Sequence, residues 1–317
     1  MSWKDYGVIF KVNNLEPWAK SHFYVPTAIE LDDCIRVYSS FWDQSLYGRL
    51  GYVDLDKKNP LQVLRYSENP ILEDSPKGNF DCDGVTPLSV IQHEGKIRLY
   101  YAGWEKFQLP NKRYTLFTGL CMSDDNGKTF YRYSDKPIIG PRNNEDQVRT
   151  AGRVNFDNGV WRTWFANYEK SYTINGKSTP GYNLNTMSSR DGINWEDSRT
   201  VFPIKEGKIL GYGRSAVWFD AAESLYHGLF SVRSWDSRYY GIYNAQSKDG
   251  LKWSELTLDN MGFSPSETID GQKEVCFPSL IHQEDRILMF YNGHGKTGVH
   301  GMSRLVSLQR LEVTYLR

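Results

Sequence analysis

The stretch that decides the fold is Lys273-Glu-Val-Cys-Phe-Pro278-Ser-Leu-Ile281, followed after a short turn by Arg286-Ile-Leu-Met-Phe-Tyr-Asn292. Two charged residues come first, a proline follows, and an apolar run leads through a polar turn into a second run rich in aromatic side chains. Short apolar runs bounded by Gly, Asn, Asp and Pro predict strands and turns rather than helices. The stretch therefore predicts two adjacent strands, with the charged residues at the entrance of the first.

The same pattern occurs at four earlier places in the sequence. The second strand of the pattern recurs as Ile35–Phe41, Ile97–Trp104, Trp161–Ala166, Leu225–Phe230 and Ile287–Asn292. The strands that precede these segments begin near Pro26, Pro87, Gly152, Ser215 and Pro278, at steps of 61, 65, 63 and 63 residues. Five near-equal units, each of about four strands, predict an all-β fold and a five-bladed β-propeller.

The two ends of the sequence complement each other. The last unit lacks an outer strand of its own, whereas the N-terminal segment Tyr6-Gly-Val-Ile-Phe-Lys-Val12 belongs to no unit. We expect this segment to complete the fifth blade, which closes the ring and removes an exposed strand edge. No linker composition interrupts the sequence, so residues 1–317 are predicted to form a single propeller domain.

A second repeat marks hairpin tips. Ser189–Trp195 and Ser247–Trp253 share the form S-x-D-G-x-x-W, and Ser123–Phe130 has the same form with one residue inserted. Asp-Gly suits a tight turn that needs a positive φ, and the Asp side chain can bond back to the turn backbone. These segments resemble the Asp-box hairpins of sialidases and related propellers, and that resemblance implies a structural role away from the active site.

Composition excludes several classes of protein. The 38 basic residues balance 38 acidic ones, which argues against a nucleic-acid partner or an anionic membrane surface. No apolar run is long enough to span a bilayer, and residues 1–7 lack the features of a signal peptide. Four widely spaced cysteines form no CxxC pair and are predicted to be buried thiols. These features predict a cytoplasmic location.

The residues just before each first strand should converge at one mouth of the propeller. They include His22, Asp81, Asp83, Arg149, Arg214 and Glu274. Two carboxyl groups across a pocket can divide acid and base roles, which makes Glu274 and either Asp81 or Asp83 the predicted pair. Arginines can bind a carboxylate or phosphate with two hydrogen bonds. Asp83 before Gly84 is also consistent with a turn residue, and Glu274 with a rim salt bridge.

Further candidates lie in the loops. Trp104 follows its strand and offers a surface for stacking a sugar, while His294 and Lys296 lie in a glycine-rich loop. His22 is also consistent with a histidine that only makes structural hydrogen bonds. The six histidines show no HxH or HExxH spacing, and no nucleotide-binding motif is present, so neither a metal nor a cofactor is predicted.

Several motifs together resemble a known family. Ser21–Pro26, Phe80–Pro87, Glu274–Pro278 and Tyr291–Gly298 resemble segments of five-bladed propeller proteins that are glycosidase-like. That family is related to the β-fructosidase, arabinanase and β-xylosidase clans and is often associated with bacterial surface-polysaccharide gene clusters. Carried over position by position, the resemblance marks His22, Asp81, Arg214 and Glu274, with His22 joining the two carboxyl groups in the catalytic set.

The sequence departs from the related clans at two places. Val25 precedes Pro26 where the arabinanase and β-xylosidase clan has an Asp-Pro pair, and Arg149-Thr-Ala-Gly152 stands where a Glu-Gly-Pro is expected. The sequence therefore predicts a glycoside hydrolase-like enzyme acting on a glycosidic or sugar-phosphate bond. Two alternatives stay open, a non-catalytic carbohydrate-binding propeller and a sugar-nucleotide-processing or transfer enzyme. The expected ligand is a carbohydrate or nucleotide sugar.

Overall fold

The structure, a computed structural model, describes residues 3–12, 15–109, 112–294 and 300–309. Within these ranges the only helical element is a 3₁₀ turn at Pro265–Glu267, and no helix is long and apolar enough to cross a lipid bilayer. The strands are β1 (Lys4–Val8), β2 (Ser21–Glu30), β3 (Ile35–Trp42), β4 (Gly48–Leu55), β5 (Val63–Tyr66), β6 (Val85–His93), β7 (Lys96–Leu109), β8 (Lys112–Ser123), β9 (Tyr131–Arg132), β10 (Val148–Thr150), β11 (Val154–Asp157), β12 (Val160–Ile174), β13 (Lys177–Ser189), β14 (Trp195–Phe202), β15 (Ile209–Asp220), β16 (Leu225–Ser234), β17 (Tyr240–Ser247), β18 (Glu274–His282), β19 (Arg286–His294) and β20 (His300–Gln309). The fold is all-β, as predicted.

The described strands fall into five consecutive groups of antiparallel strands, which pair in sequence order except at β10. Short parallel pairings of β8 with β10 and of β13 with β15 join the second, third and fourth groups into one sheet. The groups are β2–β5, β6–β9, β10–β14, β15–β17 and β18–β20. In the third group, β10 and β11 both pair with β12. The five repeated segments of the sequence lie in β3, β7, β12, β16 and β19. Each is the second strand of its group except β12, which follows the two short strands β10 and β11. The predicted repeat is therefore a repeat of strand pairs.

The N-terminal strand pairs with the last group, as predicted. β1 runs antiparallel to β20, with Lys4 opposite Ser307. The Tyr6 and Ser307 hydroxyls lie 3.0 Å apart, and the Asp5 carboxylate accepts a hydrogen bond from the Tyr291 hydroxyl at 3.1 Å. These side-chain contacts join the first strand to the last group in addition to the backbone pairing.

Apolar side chains fill the space between neighbouring groups. Each pair of neighbouring groups shares an apolar cluster, and the fifth group shares one with the first. In order around the groups, starting between the first and the second, the clusters include Tyr38 with Leu99, Tyr100 with Trp161, Trp164 with Phe230, Leu229 with Met289, and Phe290 with Phe23. All ten side chains are almost fully buried. The four cysteines are also buried and carry no disulfide, as predicted.

The three S-x-D-G-type segments are hairpin tips held by the preceding group. At one tip the Asp191 carboxylate accepts the Ile193 and Asn194 N–H groups at 2.8 Å, and the Gly192 N–H donates to Ser189 Oγ at 2.9 Å. The neighbouring group then clamps the tip, because an arginine and an aromatic residue two positions later donate to its carbonyl groups. The clamping contacts are Arg36 to Asn126, Tyr38 to Gly127, Arg98 to Asp191, Tyr100 to Gly192, Arg162 to Asp249 and Trp164 to Gly250.

This clamp predicts a specific cost for a methyl group at the tip. A Cβ at Gly192 (φ +74°) would lie 2.7 Å from Tyr100 Oη, whereas a Cβ at Gly159 (φ +77°) would meet no atom within 4 Å. We expect Gly159→Ala to lower the free energy of unfolding by about 1 kcal/mol through its left-handed backbone alone. Gly192→Ala should cost about 1–3 kcal/mol more, because the clamp must also move. Urea denaturation measures both, and equal losses would contradict the clamp.

Candidate active site

A cavity of about 210 Å³ lies where the five groups meet. Strands β2, β6, β10, β15 and β18 all contribute to its wall. The cavity is smaller than the roughly 300–1,000 Å³ of sites for drug-sized ligands and suits a single sugar ring. Its wall combines six aromatic side chains with six aliphatic ones and includes two guanidinium groups. The aromatic residues are Tyr24, Trp104, Tyr114, Tyr182, Tyr240 and Phe277, and the arginines are Arg214 and Arg233.

Bulged first strands shape the wall. The pairing register shifts between Tyr24 and Thr27 in β2 and between Cys276 and Ser279 in β18. Val25 and Phe277, each directly before a proline, adopt φ values of 56° and 59°, which are costly for side chains of this kind. Their N–H groups donate to side chains of neighbouring strands, to Asn292 Oδ1 and Ser231 Oγ respectively. These bonds hold the strained backbone in place.

Arg214 joins the first strands to one another. Its Nη1 donates to Thr27 Oγ1 at 2.7 Å, and its Nη2 donates to Pro26 O at 2.6 Å and also to Phe277 O. The side chain is 4% exposed, and burial lowers the pKa of the guanidinium to about 9, so it stays charged at neutral pH. The predicted ligand-binding role of Arg214 therefore coexists with a structural one, because most of its donors are already occupied by the protein.

Tyrosines and Arg233 form a polar network at the cavity wall. The Tyr182 and Tyr240 hydroxyls are hydrogen-bonded to each other, and Arg233 Nη1 donates to Tyr182 Oη at 3.2 Å. Burial raises the pKa of both Tyr24 and Tyr240 well above the usual value for a phenol. These two hydroxyls are therefore neutral at physiological pH and can donate or accept hydrogen bonds to a ligand.

Glu274 borders this network. Its Oε2 accepts the Tyr240 N–H at 3.3 Å, and its Oε1 lies 3.9 Å from His294 Nδ1, since the two residues face each other across β18 and β19. Burial raises the pKa of Glu274, and the Tyr240 N–H and the Arg233 charge offset this effect only in part. A carboxyl group in this setting keeps its proton to higher pH than an exposed glutamate does.

The structure does not bring Asp81 to Glu274. Asp81 lies outside the cavity wall, where its Oδ2 accepts hydrogen bonds from Arg132 Nε at 2.8 Å and from the Tyr101 hydroxyl at 2.9 Å. Its side chain is fully buried in this ion pair. Asp81 therefore has the environment of a structural residue, because its charge is already neutralised inside the second group.

Asp83 and Arg149 also have partners away from the cavity. Asp83 forms a 2.6 Å ion pair with Lys77. Burial alone would raise the pKa of Asp83, but the Lys77 ammonium and the Lys106 N–H lower it overall. Arg149 donates to Asn167 Oδ1 and Gly140 O, because strand alternation turns it away from the cavity that its neighbours line.

The remaining predicted residues differ in position. Trp104 lines the cavity, with its indole N–H bonded to Thr86 Oγ1 at 2.9 Å. His22 stacks on Trp42, with ring centroids 3.9 Å apart, and does not contribute to the cavity wall. His294 lies beside Glu274 at the end of β19. Lys296 lies outside the described residues.

Reasoning from the sequence missed Tyr114, Tyr182, Tyr240 and Arg233. Tyr114, Tyr182 and Tyr240 lie near the starts of β8, β13 and β17, the strands that follow the repeated segments in three successive groups. A tyrosine in the first half of the corresponding strand in three successive units was the available signal. Arg233 pairs directly with Tyr240 across β16 and β17.

One group of potential metal ligands occurs among the described residues. Asp220, Glu223 and His227 place ligand atoms within 4.8 Å of one another. Asp220 caps the turn between β15 and β16, and His227 Nε2 lies 2.9 Å from Glu223 Oε2, so these contacts already account for the cluster. It also lies about 20 Å along β15 from Arg214. It carries no metal assignment.

The raised pKa of Glu274 predicts that ionisation of this carboxyl group lowers the stability of the folded protein. Because the folded state holds the proton more tightly than the unfolded state, ionisation of Glu274 destabilises the fold, and this loss grows as pH rises from the unfolded pKa through the folded one. Glu274→Gln should therefore raise the thermal midpoint at pH 7 and leave it nearly unchanged at pH 4. Glu284→Gln, at an exposed site, is the control. A lower midpoint at pH 7 for Glu274→Gln would refute the assignment.

Comparison with known proteins gives relatives of similar length. No protein-family model matches the sequence. Two proteins of Mycobacterium tuberculosis, the uncharacterized protein MT1551 of strain CDC 1551 / Oshkosh and the uncharacterized protein Rv1502 of strain ATCC 25618 / H37Rv, are each 27% identical to it over 302 residues. The matches cover 94% of this chain and 97% of the relatives.

Solved structures of similar fold include several glycoside hydrolases. A structure described as a glycoside hydrolase has a TM-score of 0.73 at 14% identity, and the match covers 99% of this protein and 93% of that structure. A GH130 structure, from a family of mannoside phosphorylases that contains glycoside hydrolases targeting β-1,2 mannosidic linkages in Candida mannan, has a TM-score of 0.66 at 14% identity, with coverage of 92% and 85%. A thermostable family-43 glycoside hydrolase has a TM-score of 0.65 at 13% identity, with coverage of 95% and 92%. The protein therefore shares the fold of known glycoside hydrolases.

Proposed function

We propose that the protein is a glycosidase-like enzyme that cleaves the bond between a sugar held in the cavity and its leaving group, with Glu274 as the proton donor. The observation that carries this proposal is the position of Glu274. This carboxyl group does not line the cavity itself, but it accepts a hydrogen bond from the N–H of the wall residue Tyr240, and its pKa is raised. A general acid must keep its proton near neutral pH and release it to the departing oxygen. Burial shifts the pKa of Glu274 in the direction that this role requires.

The aromatic wall supports a sugar as the ligand. Trp104 and Tyr114 pack against each other at a centroid distance of 5.3 Å, and both face the cavity. Such side chains combine an apolar face, suited to the C–H surface of a sugar ring, with a polar edge. The hydroxyls of Tyr182 and Tyr240 would bind the ring hydroxyls.

We further infer that the five strand groups are the blades of a single five-bladed β-propeller covering residues 1–317, closed by β1. The packing of the fifth group on the first and the pairing of β1 with β20 support closure. In this arrangement the cavity is one mouth of the central channel. Similarity to glycoside hydrolase structures supports the same arrangement.

In the proposed reaction Glu274 gives its proton to the glycosidic oxygen as the bond to the anomeric carbon breaks. Water then attacks that carbon, and its surplus proton passes to the Glu274 carboxylate. Tyr182 and Tyr240 would orient the water through hydrogen bonds. The rate should fall as pH rises through the raised pKa of Glu274, because only the protonated form is active in the first step.

A second candidate is a sugar-binding protein without catalysis. The observation that favours it is the ion pair between Asp81 and Arg132, which removes Asp81 from the chemistry. Among the described residues, the cavity wall contains no carboxylate. A hydrolase with two carboxyl groups would need another from elsewhere. Binding without turnover for every sugar tested would support this candidate over the enzyme.

Turnover by Glu274 variants tests the proposal. Purified protein is assayed with alkyl and aryl glycosides that differ in sugar and in leaving group. For a cleaved sugar, Glu274→Gln should lower kcat by about 10²- to 10⁴-fold when the leaving group is an alkoxide. The loss should be much smaller for a 2,4-dinitrophenyl glycoside, because that leaving group departs without a proton. An equal loss for both leaving groups, or no loss, would exclude Glu274 as the proton donor.

Asp81→Asn separates the structural role from the chemical one. Because the change leaves Arg132 without its carboxylate in a buried site, the free energy of unfolding should fall by about 3 kcal/mol. Below the melting transition, kcat per folded molecule should stay within a factor of about three of the wild-type value, since no transition-state contact is lost. A kcat loss as large as that of Glu274→Gln would indicate that Asp81 takes part in catalysis, as the sequence predicted.

A further inference from the structure

The two arginines of the cavity lack acidic partners. Among the described residues, neither Arg214 nor Arg233 forms an ion pair with a carboxylate. Arg214 donates to backbone carbonyls and a threonine hydroxyl, and Arg233 donates to Tyr182 Oη and Arg238 O. The buried Arg36, in contrast, pairs with Asp54, whereas the buried Arg149 donates to an amide and a backbone carbonyl. Two guanidinium groups that form no ion pair with a described carboxylate therefore line the same cavity.

This charge conflicts with the cleavage of a neutral sugar. Glycosidic bond cleavage develops positive charge on the sugar ring in the transition state. Two guanidinium groups in a poorly solvated cavity would oppose that charge unless a negative group lies nearby. Among the described residues, no carboxylate lines the cavity to supply one. A substrate that brings its own anion removes the conflict.

We propose that the sugar accepted by the cavity carries an anionic substituent, a carboxylate or a phosphate, and that Arg233 binds it. This inference rests on the proposed function and names its class of substrate. Arg233 is better placed than Arg214 for this role. Its Nε and Nη1 donate to Arg238 O and Tyr182 Oη, and within the described part of the chain its Nη2 has no protein acceptor and can bind a ligand. A planar guanidinium matches the geometry of a carboxylate or phosphate.

The surroundings of the cavity have the same sign of charge. A cleft of about 560 Å³ shares Tyr240 with the cavity, and Lys205, Lys208 and Lys273 line it with a single carboxylate, Glu255, among the described residues. Like-signed charge along a cleft raises the local concentration of oppositely charged ligands and speeds their binding. The cleft is therefore an anion-attracting surface that meets the cavity at Tyr240.

Matched sugars test the proposal by calorimetry or by quenching of tryptophan fluorescence. The glucose series comprises D-glucose, D-glucuronamide, D-glucuronate and D-glucose 6-phosphate, and the galactose series comprises the corresponding compounds. In at least one series we expect the carboxylate or the phosphate to bind about 10- to 100-fold more tightly than the neutral members. The amide matches the carboxylate in shape, so the difference reports charge. The carboxylate and phosphate arms distinguish the two anions.

Variants test whether Arg233 causes the preference for anionic sugars. Arg233→Met should abolish the preference for the anion, Arg233→Lys should reduce it, and Arg199→Met, at an exposed position on β14, should leave it unchanged. Thermal melts identify variants that do not fold, and Arg233→Lys then decides. Equal affinities for charged and neutral members, a preference that survives the Arg233 changes, or no binding of any anion would overturn the proposal.

Cleavage and binding measured on the same protein can distinguish a failure of the anionic substrate class from a failure of the proposed function. Cleavage of neutral aryl glycosides that depends on Glu274, without any preference for anions, would leave the enzyme and remove the anionic substrate. Tight binding of a uronate or sugar phosphate that depends on Arg233, without cleavage of the corresponding aryl glycosides, would keep the ligand class and remove the enzyme.

Discussion

The Arg214 guanidinium holds the centre of the molecule together. From β15 it reaches carbonyl or hydroxyl groups of β2, β6 and β18, and each such bond from a charged donor is worth about 1.5–3 kcal/mol. The strained residues Val25 and Phe277 stand beside the carbonyls that it binds. Arg214 also lines a second, smaller cavity of about 40 Å³ together with residues from four of the groups. It thus separates that space from the candidate active site and forms the floor of the latter.

Environment rather than residue type separates the two acids that sequence reasoning paired. Asp81 and Glu274 come before equivalent strands, yet Asp81 has a guanidinium and a phenol on one oxygen, whereas Glu274 has a backbone N–H and a distant imidazole. The guanidinium beside Asp81 stabilises a negative charge on that carboxyl group, whereas burial makes a negative charge on Glu274 unfavourable. A buried ionisable group of this kind lowers the stability of the fold but is suited to proton transfer. This combination is typical of residues at functional sites.

The strand repeat was predictable because burial imposes a period of two on every strand and the units recur at nearly constant steps. The position of Glu274 followed from that repeat. The direction of each side chain did not follow from the repeat, because a shift of one residue along a strand turns the side chain to the other face. Val148 and Thr150 face the cavity, so Arg149 between them faces away. Bulges such as that of β2 change the side again. The tyrosines of β8, β13 and β17 resemble core aromatics in sequence, and only the three-dimensional arrangement brings them around one cavity.

The pairing of β1 with β20 has a consequence for synthesis of the protein on the ribosome. Tyr6 and Ser307 are in contact although 301 positions separate them. At about 5–20 residues per second, β1 leaves the ribosome roughly 15–60 s before its partner strand exists. During that time its backbone edge is unpaired and able to pair with other molecules. The first four groups can pack on one another in the meantime, so the join between β1 and β20 is the last part of the fold to form.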